Sequence, residues 1–516
     1  MKARGWELSL ALLLAVLVDA LLGSALNMGR LDFMGDIQAS LDEFNMLEIC
    51  YLGARLSCFL LAPWLLSNVR PLVCLKFTLL LLILTAMLMT LQPALSWLYL
   101  LRLIQGAAGG LLLVNAQSML FRHCLRQHQP SLQAIFACGA VVAPATFIGG
   151  GQGWVIDSLS WHWLFIAAVP LALMALLTLE LLPTTANGGR KTRRRHTPGD
   201  FPSLLLAPLA MFPLMYVLQQ GNRWNWFDSA HIGPLLLLGS LSLLGFFVRQ
   251  QRLVTPMLSL SVFQYRDFAF GLGVSLIAGA ALFGSASLIS GFSIGVLGLT
   301  ATEAGGMLVQ SGFAFLFTLG VAAFVIQARG ASPISTIPFG LLGFMLAMWL
   351  LANSGPQSGI ADMLPAVLLR GFAMGCLFLS LTLIALSSLP KARMTQGVAL
   401  FNCSRQLGGL VAIAVLNRLL EVKTKAGATA LSAHVTSGSA PLAKQQLAAM
   451  GQLTAEGMEG IYAQQLTQVQ LAGTLRHQAK IIAFNQGFTA LVIMFLCALP
   501  LVVLFKLGLK RSPSLR

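Results

Sequence analysis

The chain has 516 residues, 57% of them hydrophobic and 10% charged, with a mean hydropathy of +0.80. An ordinary soluble domain carries about 25% charged residues, so this composition excludes a soluble globular enzyme, a disordered protein and a disulfide scaffold, and leaves a polytopic membrane protein. Lys plus Arg number 33 and Asp plus Glu 17, a formal charge of +16; the basic residues fall in short loops between apolar runs, so they read as topology determinants rather than as a nucleic-acid footprint.

A bilayer core about 30 Å thick takes about 20 apolar residues per helical span. Fourteen candidate spans follow in chain order: 7–29, 46–66, 71–91, 94–121, 132–153, 160–182, 201–220, 232–250, 267–292, 304–326, 333–353, 361–388, 396–420 and 482–507. They are numbered span 1 to span 14. Lys2 and Arg4 before the first run resemble the start of a signal peptide. Asp19 interrupts that apolar core, and removing the run would break the alternation that follows, so it is read as a retained helix.

Arg70, Lys76, Arg122, Arg126, Arg249, Arg252, Arg266, Arg329, Lys391 and Arg393 lie in loops of one side, while the short opposite loops hold only Arg30 and Arg223. The positive-inside rule then places both termini in the cytoplasm. The plan reads as an N-terminal six-helix bundle (1–183), a basic cytoplasmic linker (184–200, with Arg190, Lys191, Arg193, Arg194 and Arg195), two inserted helices (201–260) and a C-terminal six-helix bundle (261–516). Six plus two plus six spans point to two homologous halves with a site at their interface.

Gly106/Gly110, Gly149/Gly153, Gly291/Gly295 and Gly371/Gly375 are small-xxx-small pairs that allow close helix approach. In a rocking carrier such packing positions coincide with gating positions. The one sizeable hydrophilic stretch, 421–481, is rich in Ala, Gln and Leu. Its part Leu442–Lys480 reads as mainly helical, with Gly451, Gly457, Gly460 and Gly473 as breaks. It is either a solvated extracytoplasmic cap or a docking surface for a periplasmic partner. The eight cysteines show no C-x-x-C spacing and the seven histidines no ligand spacing, so neither a disulfide, a metal site nor a cofactor is expected.

A charge near the bilayer centre costs at least about 2.5–3.5 kcal/mol and usually faces a cavity or a partner. Asp19 in span 1, Arg102 in span 4, Arg370 in span 12 and Arg405 in span 13 stand out, with Arg55 in span 2 a fifth candidate; Glu48 is placed at a helix end. Asp19 is thus the one acid placed deep in a span. Burial favours the protonated form of a carboxylate, and an approaching arginine or water favours release. Asp19 is therefore either a proton carrier or half of a structural Asp–Arg pair that never titrates. Arg370 and Arg405 either line the interior or snorkel towards water.

At these residues the chain resembles the major facilitator superfamily, specifically the fourteen-helix drug:proton antiporters of the EmrB/QacA type, as a divergent member. Arg370–Gly375, Leu389-Pro390 and Asn402–Gly409 are similar to that family's pattern in order and spacing. Leu100–Gly106 resembles the motif of span 4, whose arginine the family associates with proton transfer; Asp157, Trp161–Phe165 and Val169-Pro170 match the start of span 6. Asp19 corresponds to the acid of the span 1 motif, with Ser24 where the family has an Asn. The loop after span 2 (Leu65–Pro71) lacks the family's acid and glycines, and the span 5 antiporter motif is shifted around Ala143, Pro144, Gly149, Gly150 and Gly151.

The resemblance implies an all-α major facilitator fold and no enzyme activity. It implies a multi-pass protein of the inner (plasma) membrane that exports amphipathic small molecules in exchange for protons. Asp19 and Arg102 would then couple the proton. Arg55, Gln105, Arg370, Arg405 and Gln406 would line the cavity or pair charges. Gly106, Gly110, Pro144, Gly149, Gly150, Gly371 and Gly375 would serve packing or gating. A periplasmic adaptor and an outer-membrane channel are implied as partners through 421–481. Two alternatives stay open: a carrier of one endogenous metabolite, such as a siderophore or organic anion, and a non-transport membrane partner or sensor.

Overall fold

The computed structural model describes residues 3–28, 30–92, 94–123, 126–181, 199–434, 440–455, 457 and 459–511. Cys124, residues 184–198 of the basic linker with their arginines, and residues 435–439 lie outside the described residues. The described part contains helices and no strand. Fourteen of its helices are long and apolar enough to cross a membrane. They are Glu7–Leu26, Leu41–Asn68, Pro71–Met89, Leu95–His123, Gln129–Ser158, His162–Leu181, Phe201–Gln220, Ile232–Arg252, Arg266–Gly295, Thr302–Ala328, Pro333–Ala352, Ile360–Ser387, Lys391–Ala433 and Gly460–Ala498. They correspond in order to spans 1 to 14.

The helices of spans 9 to 14 repeat the packing of spans 1 to 6. Span 4 packs on spans 1, 2 and 3, and span 12 packs on spans 9, 10 and 11. Span 1 packs on spans 5 and 6, as span 9 does on spans 13 and 14; span 6 also meets span 3, as span 14 meets span 11. The repeat extends to the helix starts. Ser40 caps span 2 and Glu43 reaches back to the Ser40 N–H at 2.8 Å, while Thr300 caps span 10 and Glu303 reaches back to the Thr300 N–H at 2.9 Å. Both are capping boxes, which satisfy backbone donors that the first helical turn leaves open.

It extends also to glycine. Gly106 of span 4 sits against the Tyr51 carbonyl of span 2, and Gly371 of span 12 sits against the Ser311 carbonyl of span 10, with no room for a Cβ at either. One turn on, a Cβ at Gly110 would stand 2.7 Å from the Arg55 carbonyl oxygen, and one at Gly375 2.9 Å from that of Phe315. Two glycines four apart thus let one backbone lie against another in each half.

Spans 7 and 8 form a hairpin, and span 7 lies against span 2. Asp200 caps span 7 and binds Arg249 of span 8 through both carboxylate oxygens, at 2.6 and 2.7 Å. The two six-span sets meet along spans 5 and 10 and along spans 2, 4 and 13. Gly150 faces Gly305 across this seam, where a Cβ on Gly305 would stand 2.8 Å from the Gly150 Cα. Ser131 bonds Gln327 near the start of span 5, and Asp157 bonds Thr302 near its end. At the level of span 13, Asn402 Nδ2 donates to Gln117 Oε1 of span 4 at 2.7 Å.

Span 12 is 78% buried and span 8 only 22%, which sets the centre and the periphery. Outward faces carry Phe77, Leu80, Leu84, Phe313, Phe317, Leu342 and Trp349, all exposed. So continuous an apolar belt would be a liability in water; in a bilayer it meets acyl chains.

Spans 13 and 14 depart from the expected ends. The first helix runs Met394–His434 and the last Gly460–Arg511, with Ala440–Ala455 between them. The stretch 421–481 is therefore largely a continuation of two spanning helices. A 41-residue helix is about 60 Å long, roughly twice the bilayer core. Gly460 does open a helix and Gly457 takes the left-handed conformation (φ +92°), but Gly451 and Gly473 lie inside helices. A helical glycine costs only about 1 kcal/mol relative to Ala, which the surrounding Ala, Leu and Gln offset.

Candidate functional site

Span 2 carries Glu48, Tyr51 and Arg55 at i, i+3 and i+7, so the three share one helix face. That face meets spans 1 and 4. Asp19, 2% exposed, accepts from Arg55: Nη2 to Oδ2 at 2.8 Å and Nη1 to Oδ1 at 3.3 Å. The Tyr51 hydroxyl donates to Asp19 Oδ1 at 3.4 Å and itself accepts from Arg55 Nη1. The Asp19 carboxylate lies against Gly109 of span 4, where a Cβ would collide with Oδ1.

Arg102 belongs to a neighbouring pair. Its guanidinium, fully buried, donates to Glu48 Oε1 at 2.7 Å, to the Leu22 carbonyl at 3.0 Å and to Gln105 Oε1 at 3.1 Å. It also stands 4.5 Å from the centroid of the Tyr51 ring, a cation–π distance. Asp19 and Arg102 therefore belong to different ion pairs: Arg55 holds Asp19, and Glu48 holds Arg102. Glu48 lies two turns inside the helix, not at its end, because the capping box starts that helix at Leu41. Asp19 is consequently not the one acid inside a span, because Glu48 is a second.

Sequence reasoning names neither Tyr51 nor Gln152, and places Glu48 only at a helix end. Gln152 of span 5 donates to the Ser24 hydroxyl at 3.1 Å and to the Leu21 carbonyl at 3.2 Å. The Glu48–Tyr51–Arg55 spacing was the available signal: three polar side chains on one face of an otherwise apolar span.

Among the described residues, Arg370 and Arg405 of the second half are buried with no carboxylate in ion-pair distance. Arg370, 1% exposed, donates to Ser285 Oγ (2.7 Å), Ser311 Oγ (3.2 Å) and the Leu282 carbonyl (3.1 Å). Arg405, 7% exposed, donates from Nη2 to Asn402 Oδ1 (2.7 Å) and stands 5.2 Å from the Phe378 ring centroid. Both line the interior, so the snorkelling alternative is set aside.

The remaining sequence candidates fall in three places. Gln105 is buried beside Arg102, and Gln406 is half-buried next to Arg405. Gly106, Gly110, Gly371 and Gly375 pack helices within one half, while Gly150, next to Gly149, faces the other half. Pro144 sits in a widened stretch of span 5, Cys138–Phe147, that ends with the Ile148 N–H donating to the Ala143 carbonyl five residues back. A widened turn accommodates the donor that proline lacks.

A membrane-spanning bundle of two six-helix sets that repeat one packing, with charges buried among their helices, is the build of a solute carrier rather than an enzyme. The chain belongs to the Major Facilitator Superfamily, whose sequence profile matches residues 8–413. Along its length it is 26% identical to the multidrug export protein EmrB of Haemophilus influenzae, over 96% of this chain and 95% of the relative. The multidrug export protein EmrB of Escherichia coli K12 is 24% identical over 96% and 94% of the two chains. The crystal structure of the human organic anion transporter MFSD10 (TETRAN) shares the fold, with a TM-score of 0.53 at 14% identity over 96% of this chain and 99% of that one. The protein is a divergent member of this superfamily and a multi-pass transporter of the inner membrane.

Proposed function

We propose that the protein exports amphipathic small molecules from the cell in exchange for protons, by alternating access between its two six-helix sets. The relatives' printed role in multidrug export supports the substrate side of this reading. One observation supports the coupling: Asp19, buried in span 1, is held by the guanidinium of a single arginine, Arg55, and by one phenol. A carboxylate held this way can exchange its cation for a proton when the helices that carry the two groups move apart. Arg102, tied to Glu48 and a backbone carbonyl, would then position span 2 rather than carry the proton.

The driving force is adequate. A membrane potential of 100 mV supplies about 2.3 kcal/mol per charge, which at tenfold per about 1.4 kcal/mol supports a gradient of roughly fifty-fold for a neutral compound. A periplasmic adaptor and outer-membrane channel belong to the same reading. The projecting helices expose Leu447, Ile461, Tyr462 and Val469, which offer an apolar surface for such a partner.

The test is accumulation of a panel of amphipathic dyes in acid-loaded inside-out vesicles. Uptake that an uncoupler abolishes is expected. Uptake that survives the uncoupler would replace antiport with facilitated movement.

A further inference from the structure

In the first half, two carboxylates balance two arginines: Asp19 with Arg55, and Glu48 with Arg102. In the second half, neither Arg370 nor Arg405 has a carboxylate within ion-pair distance among the described residues. The two differ in what remains. All three nitrogens of the Arg370 guanidinium reach acceptors, so that cation is satisfied and enclosed. Arg405 spends only Nη2, on Asn402, and its Nε and Nη1 meet no acceptor among the described residues.

Arg405 is also the one at the seam. Asn402, one turn before it, is bonded to Gln117 of span 4, and span 13 lies against spans 2 and 4. An aromatic ring flanks it: the Phe378 centroid stands 5.2 Å from the Arg405 guanidinium carbon. A buried cation with unspent donors, no carboxylate partner among the described residues and an aromatic ring beside it forms a site for a negative charge. A planar carboxylate matches a guanidinium's fork of donors.

We propose that the substrate is an amphipathic organic anion, whose carboxylate docks on Arg405 while its apolar body lies along the Phe378 ring. Arg405 is then the residue that sets substrate class. The proposal rests on the carrier reading above and narrows it to acids. No bond is made or broken apart from the proton that Asp19 takes up.

The experiment measures binding, with no gradient, so that it stands apart from proton coupling. The probes share one scaffold: 11-(dansylamino)undecanoate and its methyl ester, titrated by fluorescence into purified full-length protein. Wild type is expected to bind the acid at least tenfold more tightly than the ester. Arg405→Gln is expected to lose that preference by weakening the acid alone, and Arg405→Lys to retain part of it. Equal affinity for acid and ester in wild type overturns the proposal. So does an Arg405→Gln protein, with an elution profile and thermal transition like wild type, that keeps the preference or loses both ligands equally. Failure of folded wild type to bind the acid overturns it as well. None of these results touches gradient-driven export of a neutral dye, which judges the carrier reading separately.

Discussion

Asp19 of span 1 and Arg55 of span 2 form a buried two-point ion pair, with Nη2–Oδ2 at 2.8 Å and Nη1–Oδ1 at 3.3 Å. Tyr51 joins it to a second pair, because its hydroxyl touches Asp19 and Arg55 while its ring lies under Arg102. Four charges from three spans therefore form one connected network inside the first half. Low surrounding dielectric makes such a network strong when complete and costly when broken.

Removing one member should cost more than removing a pair. Arg55→Gln leaves Asp19 buried without its cation, a loss of about 3–5 kcal/mol where the charge stays unpaired. Asp19→Asn combined with Arg55→Gln should cost less than the sum of the singles. A double-mutant cycle is expected to give a coupling of at least about 1 kcal/mol for Asp19 with Arg55, and a clearly smaller one for Asp19 with Arg102. Unfolding can be followed with a thiol-reactive dye, since Cys74, Cys376 and Cys403 are buried. A larger coupling to Arg102 would contradict the pairing described here.

The glycine contacts predict a sharp contrast. Gly106→Ala and Gly371→Ala each drive a Cβ into a facing carbonyl, which helices can relieve only by moving apart. Overpacking of this kind costs about 1–3 kcal/mol. Gly273, with open space where its Cβ would stand, is the control; Gly273→Ala should be neutral or stabilise by a few tenths of a kcal/mol to about 1, since Ala favours a helix. Melting temperatures of the three variants check this.

These contacts also mark what the sequence could disclose. The fourteen spans were legible because a bilayer demands long apolar runs, and span 7 begins and ends where its hydropathy does. The ends of spans 13 and 14 were not, because once a helix leaves the bilayer its residues turn polar without its backbone stopping. The partner of Asp19 was not legible either. It depends on the rotation of span 2, which the Tyr51–Gly106 and Arg55–Gly110 backbone contacts set. The face shared by Glu48, Tyr51 and Arg55 could have been read from spacing alone, but which neighbouring span it meets could not.

The cap of span 7 should be acid-sensitive. Arg249, with help from the Ser203 hydroxyl and N–H, holds the Asp200 carboxyl well below the usual carboxylate range. A depressed native value means stability present above the unfolded value of about 3.9 and lost as pH falls below it. Wild type is therefore expected to melt higher than Asp200→Asn at pH 7, with the difference shrinking as the pH drops below about 4. A difference that is constant from pH 7 to pH 3 would contradict this.

The most direct test of the central claim, that Asp19 exchanges Arg55 for a proton during transport, separates coupling from substrate movement in one variant. Asp19→Asn protein in proteoliposomes would be assayed for proton-gradient-driven uptake and for gradient-free exchange of internal against external substrate. The account predicts that driven uptake is abolished while exchange persists, because a neutral Asn mimics the protonated carboxyl and leaves the cavity intact. Driven uptake at the wild-type level in Asp19→Asn would contradict it.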